Sequence, residues 1–169
     1  WSSSAASDVY KRQIYNRIEY LASGLECRVI FLDHLSILLS GLDGDERRMI
    51  DSTMTRLRSL VERTGITLYL VSHLRRSNSD SNSHEEGGRV SLGQLRGSHS
   101  ISQISDTVIA LERDQQSEDA NNVTTVRVLK NRYSGEVGVA TRLTYDLSTC
   151  NFYETTKDEQ PEFDPTVDF

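Results

Sequence analysis

Asp33 stands directly after the apolar run Val29–Leu32, which includes two β-branched residues and ends on a polar stop. Such a run reads as a strand of a parallel sheet covered on both faces, and the carboxyl ends of parallel strands are where open α/β sheets bind ligands. A carboxylate at that point can hold Mg²⁺ through its water shell while the metal offsets phosphate charge; the plainer alternative is an aspartate that caps or turns the chain. Ser72 and His73 hold the same place after a second apolar run, 66–71. A polar side chain there can donate a hydrogen bond to a terminal phosphate and lose that partner on hydrolysis, or it is an ordinary loop residue. Lys130 and Arg132 close an alternating run ahead of Tyr133, Ser134 and Gly135. The guanidinium is a planar, permanent charge able to stabilise a transferring phosphoryl group; the bland reading is two solvated charges before a turn. Arg96 and Gly97, with Gln103 and Asp106, form a polar cluster in which Gly97 permits close backbone approach. Arg96 with Arg75, Arg76 and Arg89 could track a phosphate backbone, although Asp80, Glu85 and Glu86 dilute the patch toward a solvated loop. His34, His84 and His99 lack metal-ligand spacing, and Cys27 and Cys150 form no CxxC pair, so no zinc site is expected.

The elements that must position these residues follow from periodicity. Ile14, Ile18, Leu21 and Leu25 fit an amphipathic helix that Gly24 would end. Asp43 and Glu46 are spaced as a capping box, and Ile50, Met54, Leu57 and Val61 then keep one apolar stripe until Gly65 supplies a stop. Strand, helix and strand in this order predict a right-handed βαβ unit. Residues 77–88 are polar throughout and are expected to form a mobile surface loop. A short helical stretch is expected around 95–104, a strand at 108–111 and a polar turn over 114–122. Val126 and Val128 alternate with Arg127 and Leu129, and Val139, Thr141, Leu143 and Tyr145 alternate with Ala140, Arg142 and Thr144. With Ser134, Gly135 and Gly138 at the turn, these runs predict an antiparallel hairpin at the sheet's end.

At 169 residues and 36% hydrophobic, the chain can bury one core, and a second full domain is not expected. A formal charge of -6 argues against coating nucleic acid by bulk electrostatics, so any DNA contact must be local. Two cysteines are too few for a disulfide framework, and no apolar run is long enough to span a bilayer, which points to a soluble, cytoplasmic protein with no membrane partner. Residues 1–12 are Ser/Ala-rich and aperiodic and are read as a non-native or unstructured lead. Residues 13–154 are read as the folded domain, and 155–169, acidic and broken by Pro161 and Pro165, as a disordered tail.

Taken together and in order, CRVIFLDHLSILLS, DERRMIDSTMTRL, TLYLVSHL, HEEGGRVSLGQLRGSHSISQISDTVIALERDQQ, VRVLKNRYSGEVGVA and an acidic tail closing on Asp168 and Phe169 resemble the helicase domain of bifunctional phage primase-helicases. The resemblance implies a RecA-like α/β core, with a mostly parallel sheet and a C-terminal antiparallel hairpin, from a homo-hexameric 5′ to 3′ DNA helicase driven by ATP or dTTP with Mg²⁺. Asp33 then matches the Walker B metal carboxylate and His73 the residue that senses phosphate state. Gln103 matches the γ-phosphate reader, and Arg132 the finger acting on the neighbouring subunit's nucleotide, with Lys130 beside it. Arg75, Arg76, Arg96 and Gly97 fall at the single-stranded DNA surface, and Phe169 ends a tail that docks on the replicative polymerase. No GxxxxGK[ST] phosphate loop is present, and the family's catalytic glutamate would lie upstream, so the chain alone is not expected to hydrolyse nucleotide. Two alternatives stay open on the residues: a RecA-like ATPase or recombinase without unwinding activity, and a non-catalytic doubly wound binding module.

Overall fold

The computed structural model describes residues 3–39, 45–74, 87–95, 99–118 and 120–155, with side chains from residue 12 onward. The chain divides into two compact units: residues 1–76 with 91–106, and 77–90 with 107–169.

In the first unit, helix α1 (Ser3–Ser23) leads into strand β1 (Val29–Leu32), helix α2 (Glu46–Thr64) and strand β2 (Thr67–Leu70). The two strands pair in parallel, Val29 opposite Thr67 through Leu32 opposite Leu70, which gives the expected βαβ unit. A 3₁₀ helix over Leu35–Leu39, not foreseen from the sequence, follows β1 and buries Leu35 and Leu38. A second, Leu92–Gln94, precedes helix α3 (His99–Ile104).

Burial drives this arrangement. Ile50, Thr53, Met54, Leu57 and Leu60 form the buried face of α2 and meet Tyr15 and Ile18 of α1, Ile30 of β1, Leu35, Leu38, Ile66 and Ile101 in one core. A fully buried aliphatic side chain contributes about 1.5–3 kcal/mol, so this stripe outweighs the weak intrinsic stability of a helix of this length. Polar ties set the edges: Arg63 reaches Glu19 at 3.0 Å, and the Arg56 guanidinium lies 4.2 Å from the Tyr15 ring centroid. Gly65 ends α2 at φ 68°, a left-handed conformation that glycine adopts without strain, and its N–H donates to Val61 O at 2.8 Å.

Three expectations need correction here. The cap of α2 is Asp45, whose carboxylate accepts from Arg47 N at 3.0 Å; an aspartate beside the first helical residue competes better for the early N–H groups than one further upstream, and Asp43 lies outside the described residues. Residues 3–12, expected to be unstructured, continue α1, since their serines and alanines contain no proline or glycine to stop the helix. The parallel strands are not buried on both faces. Ile30, Leu32, Leu68 and Leu70 turn toward the core, whereas Val29, Phe31, Tyr69 and Val71 are exposed, Phe31 at 72%, and the Phe31 and Tyr69 rings stack at 4.7 Å.

The second unit is a four-stranded antiparallel sheet in the order β3 (Thr107–Arg113), β4 (Val123–Asn131), β5 (Gly138–Asp146) and β6 (Asn151–Glu154). The hairpin expected from the alternating runs is the β4–β5 pair, and β3 and β6 extend it on either side. Arg127 is held on β4 by the buried Glu112 of β3. Its fork makes two bonds to the carboxylate, at 2.8 and 2.9 Å. Of the loop expected over 77–88, residues 77–86 lie outside the described residues, as do residues 156–169 of the tail expected over 155–169. No described helix is long and apolar enough to cross a membrane.

Candidate functional site at the carboxyl ends of the parallel strands

The β1–β2 ladder runs past the strands themselves. Val71 N donates to Leu32 O at 3.0 Å and Leu35 N to Val71 O at 2.9 Å, so the chain emerging from β1 stays fastened to the chain emerging from β2. Asp33, His34 and His73 therefore collect at one sheet edge. Asp33 and His73 are exposed, His34 is half-buried, and the imidazoles of His34 and His73 meet edge to face with centroids 4.3 Å apart. The peptide bond joining Asp33 to His34 is cis. The His34 Nδ1 is buried and has no hydrogen-bond partner among the described residues.

Gln103 is exposed on α3, in the same unit. The helix carrying it is tied to α2 through Asp106, two residues beyond its end, whose carboxylate takes a 2.7 Å bond from Arg58. Asp106 thus belongs to the scaffold, where the sequence had grouped it with the polar cluster. Arg75, Arg76, Arg96, Gly97 and Phe169 lie outside the described residues.

Lys130 and Arg132 belong to the second unit, Lys130 within β4 opposite Val108 and Arg132 at the first turn position beyond it, exposed. The turn is organised by one side chain. Asn131 Oδ1 accepts from Tyr133 N at 3.0 Å and Ser134 N at 3.3 Å, its Nδ2 donates to Ser134 Oγ at 2.8 Å, and Gly135 N closes on Asn131 O at 3.0 Å. Arg132 is thereby presented from a turn whose backbone is fixed on both sides of it. Glu112 carries a related duty. Burial by itself would push its carboxyl up, but the Arg127 fork, the Val90 N–H at 2.8 Å and the charges of Arg127 and Arg89 together hold it below the ordinary carboxylate value. The pair fastens the chain at Val90 to the sheet.

Four of these residues were not singled out as site or scaffold residues by the sequence. His34 could have been found by its position, one step after Asp33 and matching Ser72 and His73 on the next strand. Asn131 carried the signal of an Asx turn ahead of Ser134 and Gly135. The Glu112–Arg127 pair had none, since only strand register brings the two together.

A carboxylate at a strand end with polar side chains on the adjacent strand suits magnesium, which binds through one or two carboxylates together with water and phosphate oxygens. The donor set at Asp33 fits that mode of binding. Among the described residues no cluster of three or more His, Cys, Asp or Glu side chains could hold a metal by itself.

The family model described as the DnaB-like helicase C terminal domain matches residues 4–154, and the chain belongs to that family. Among individual proteins it is 44% identical, over 134 residues, to the DNA helicase/primase of Enterobacteria phage T3; the match covers 79% of this chain and 23% of that protein. A solved structure of a DnaB-like replicative helicase and its interactions with primase superposes with a TM-score of 0.66 at 20% identity, covering 84% of this chain and 35% of that one. The mixed α/β fold, with parallel and antiparallel strands, is that of the RecA-like helicase domain. The chain spans about a quarter of the length of the phage relative it matches.

Proposed function

We propose that the intact protein is a replicative DNA helicase of phage primase-helicase type, a homo-hexamer that uses ATP or dTTP with Mg²⁺ to move 5′ to 3′ along single-stranded DNA. The observation that carries this reading is the gathering of Asp33 and His73 at the carboxyl ends of adjacent parallel strands in a chain of this family. Asp33 would hold Mg²⁺, which when bound offsets charge on the phosphates. His73 donates to the terminal phosphate and loses that partner on hydrolysis, and Gln103 reads the same group. Arg132, with Lys130 beside it, reaches the nucleotide of the neighbouring subunit, so turnover depends on ring assembly. Arg75, Arg76, Arg96 and Gly97 are assigned to single-stranded DNA, and Phe169, which closes the acidic stretch, to the replicative polymerase, where an acidic segment can meet a basic patch. The setting is the cytoplasm of an infected bacterium.

The test is strand displacement on a forked substrate by the full-length protein. Arg132→Ala should abolish DNA-stimulated hydrolysis while nucleotide binding stays within about threefold; unchanged turnover removes the finger assignment. Hydrolysis without displacement in the unaltered protein would favour an ATPase or recombinase that does not unwind. Deleting Phe169 should weaken coupling to polymerase and leave unwinding alone unaffected, and equal loss of both would refute the docking role.

A further inference from the structure

We infer that His34 is a positioning residue for His73, its ring forming the wall against which the His73 imidazole is set before a phosphate arrives. The inference rests on the phosphate-sensing reading of His73 and gives a role to a side chain that reading leaves without one. The two rings come from the ends of adjacent strands and meet at 4.3 Å between centroids with planes 66° apart, an edge-to-face geometry that aromatic rings favour. The two sides of the contact differ in freedom. His34 is half-buried and followed by Leu35, which is only 3% exposed and whose N–H is bonded to Val71 O, so its place is fixed by both the core and β2. His73 is exposed, and an exposed imidazole at a strand end samples several rotamers unless a neighbour restricts it. Each rotamer removed beforehand is ordering that need not accompany phosphate binding.

The buried, unpartnered Nδ1 of His34 shows which property of the ring matters. Among the described residues no polar bond holds this nitrogen in place, and leaving it without one is unfavourable. What His34 offers its neighbour is therefore an aromatic surface, and a ring without nitrogen should serve as well.

DNA-stimulated hydrolysis by the full-length protein, compared among His34→Ala, His34→Phe and His73→Ala, tests this. His34→Ala should raise the nucleotide KM about tenfold with kcat within about threefold, and His34→Phe should keep KM close to that of the unaltered protein. If the alanine variant does not assemble, His34→Leu takes its place, since it fills the space without an aromatic edge; the same rise is expected. An unchanged KM without a ring at position 34, or an equal rise in the phenylalanine variant, overturns the inference. An inert His73→Ala removes the phosphate-sensing reading and this inference with it. A defective His73→Ala beside a His34→Ala of unchanged KM removes this inference alone.

Discussion

At the residue scale, the side chains that matter most for holding the second unit together are Glu112 and Arg127. Removing one partner of this partly buried ion pair is destabilising, because the remaining charge keeps its desolvation penalty without its compensation. Glu112→Ala should therefore speed hydrogen exchange across the β3–β4 amides by more than tenfold, and a change confined to the Val90 amide would show that the pair does not support the sheet. The pair also makes this region sensitive to acid. Because the folded carboxyl sits below its ordinary value, its contribution is complete above the unfolded value of about 4.3 and is lost as the pH falls through the folded value. Glu112→Gln should flatten the acid side of the exchange profile, and an identical profile would assign the acid sensitivity to other carboxylates.

At the element scale, α2 is the piece on which the first unit depends. Its buried stripe joins α1, β1 and α3, and its two ends are specified by Asp45 and Gly65. Leu57, 2% exposed at the centre of that stripe, should cost about 3 kcal/mol when cut to alanine, whereas Asp45→Ala, which removes only a cap, should cost about 1 kcal/mol. Denaturant titration of both variants measures the difference, and equal losses would mean that the helix is held by its ends more than by its face. The same helix indirectly supports the candidate site. Arg58 on its partly exposed side fastens Asp106 beyond α3, so the element bearing Gln103 is moored to the element that sets β1 against β2.

At the scale of the whole molecule, the notable surface is the uncovered face of the β1–β2 pair. Parallel sheets are ordinarily covered on both faces, yet Val29, Phe31, Tyr69 and Val71 are each between 43% and 72% exposed. An apolar face of this kind marks a surface made for contact or a liability for association. The isolated chain should bind a hydrophobic dye strongly, and replacing Phe31 and Tyr69 by serine should reduce the signal at least about twofold. Dye binding that ignores both substitutions would locate the exposed apolar surface elsewhere, for instance at Ile109 and Leu111 of β3, which are also exposed.

Much was legible in the sequence because it is local. The β1–α2–β2 order, the stop at Gly65 and the β4–β5 hairpin follow from periodicity and turn chemistry, which depend on residues a few positions apart. The strand-end location of Asp33 and His73 follows in the same way, since a polar residue after an apolar run must fall at the end of a strand. What required tertiary structure were facts of register and burial between distant segments. Only the pairing of β3 with β4 brings Arg127 to Glu112, and only the hydrogen bonds joining Leu32, Val71 and Leu35 set the His34 ring against His73. The one-sided burial of β1 and β2 belongs to the same class. An apolar strand has the same composition whether or not its second face is covered, so its sequence states a preference for burial and the rest of the fold decides whether it is met.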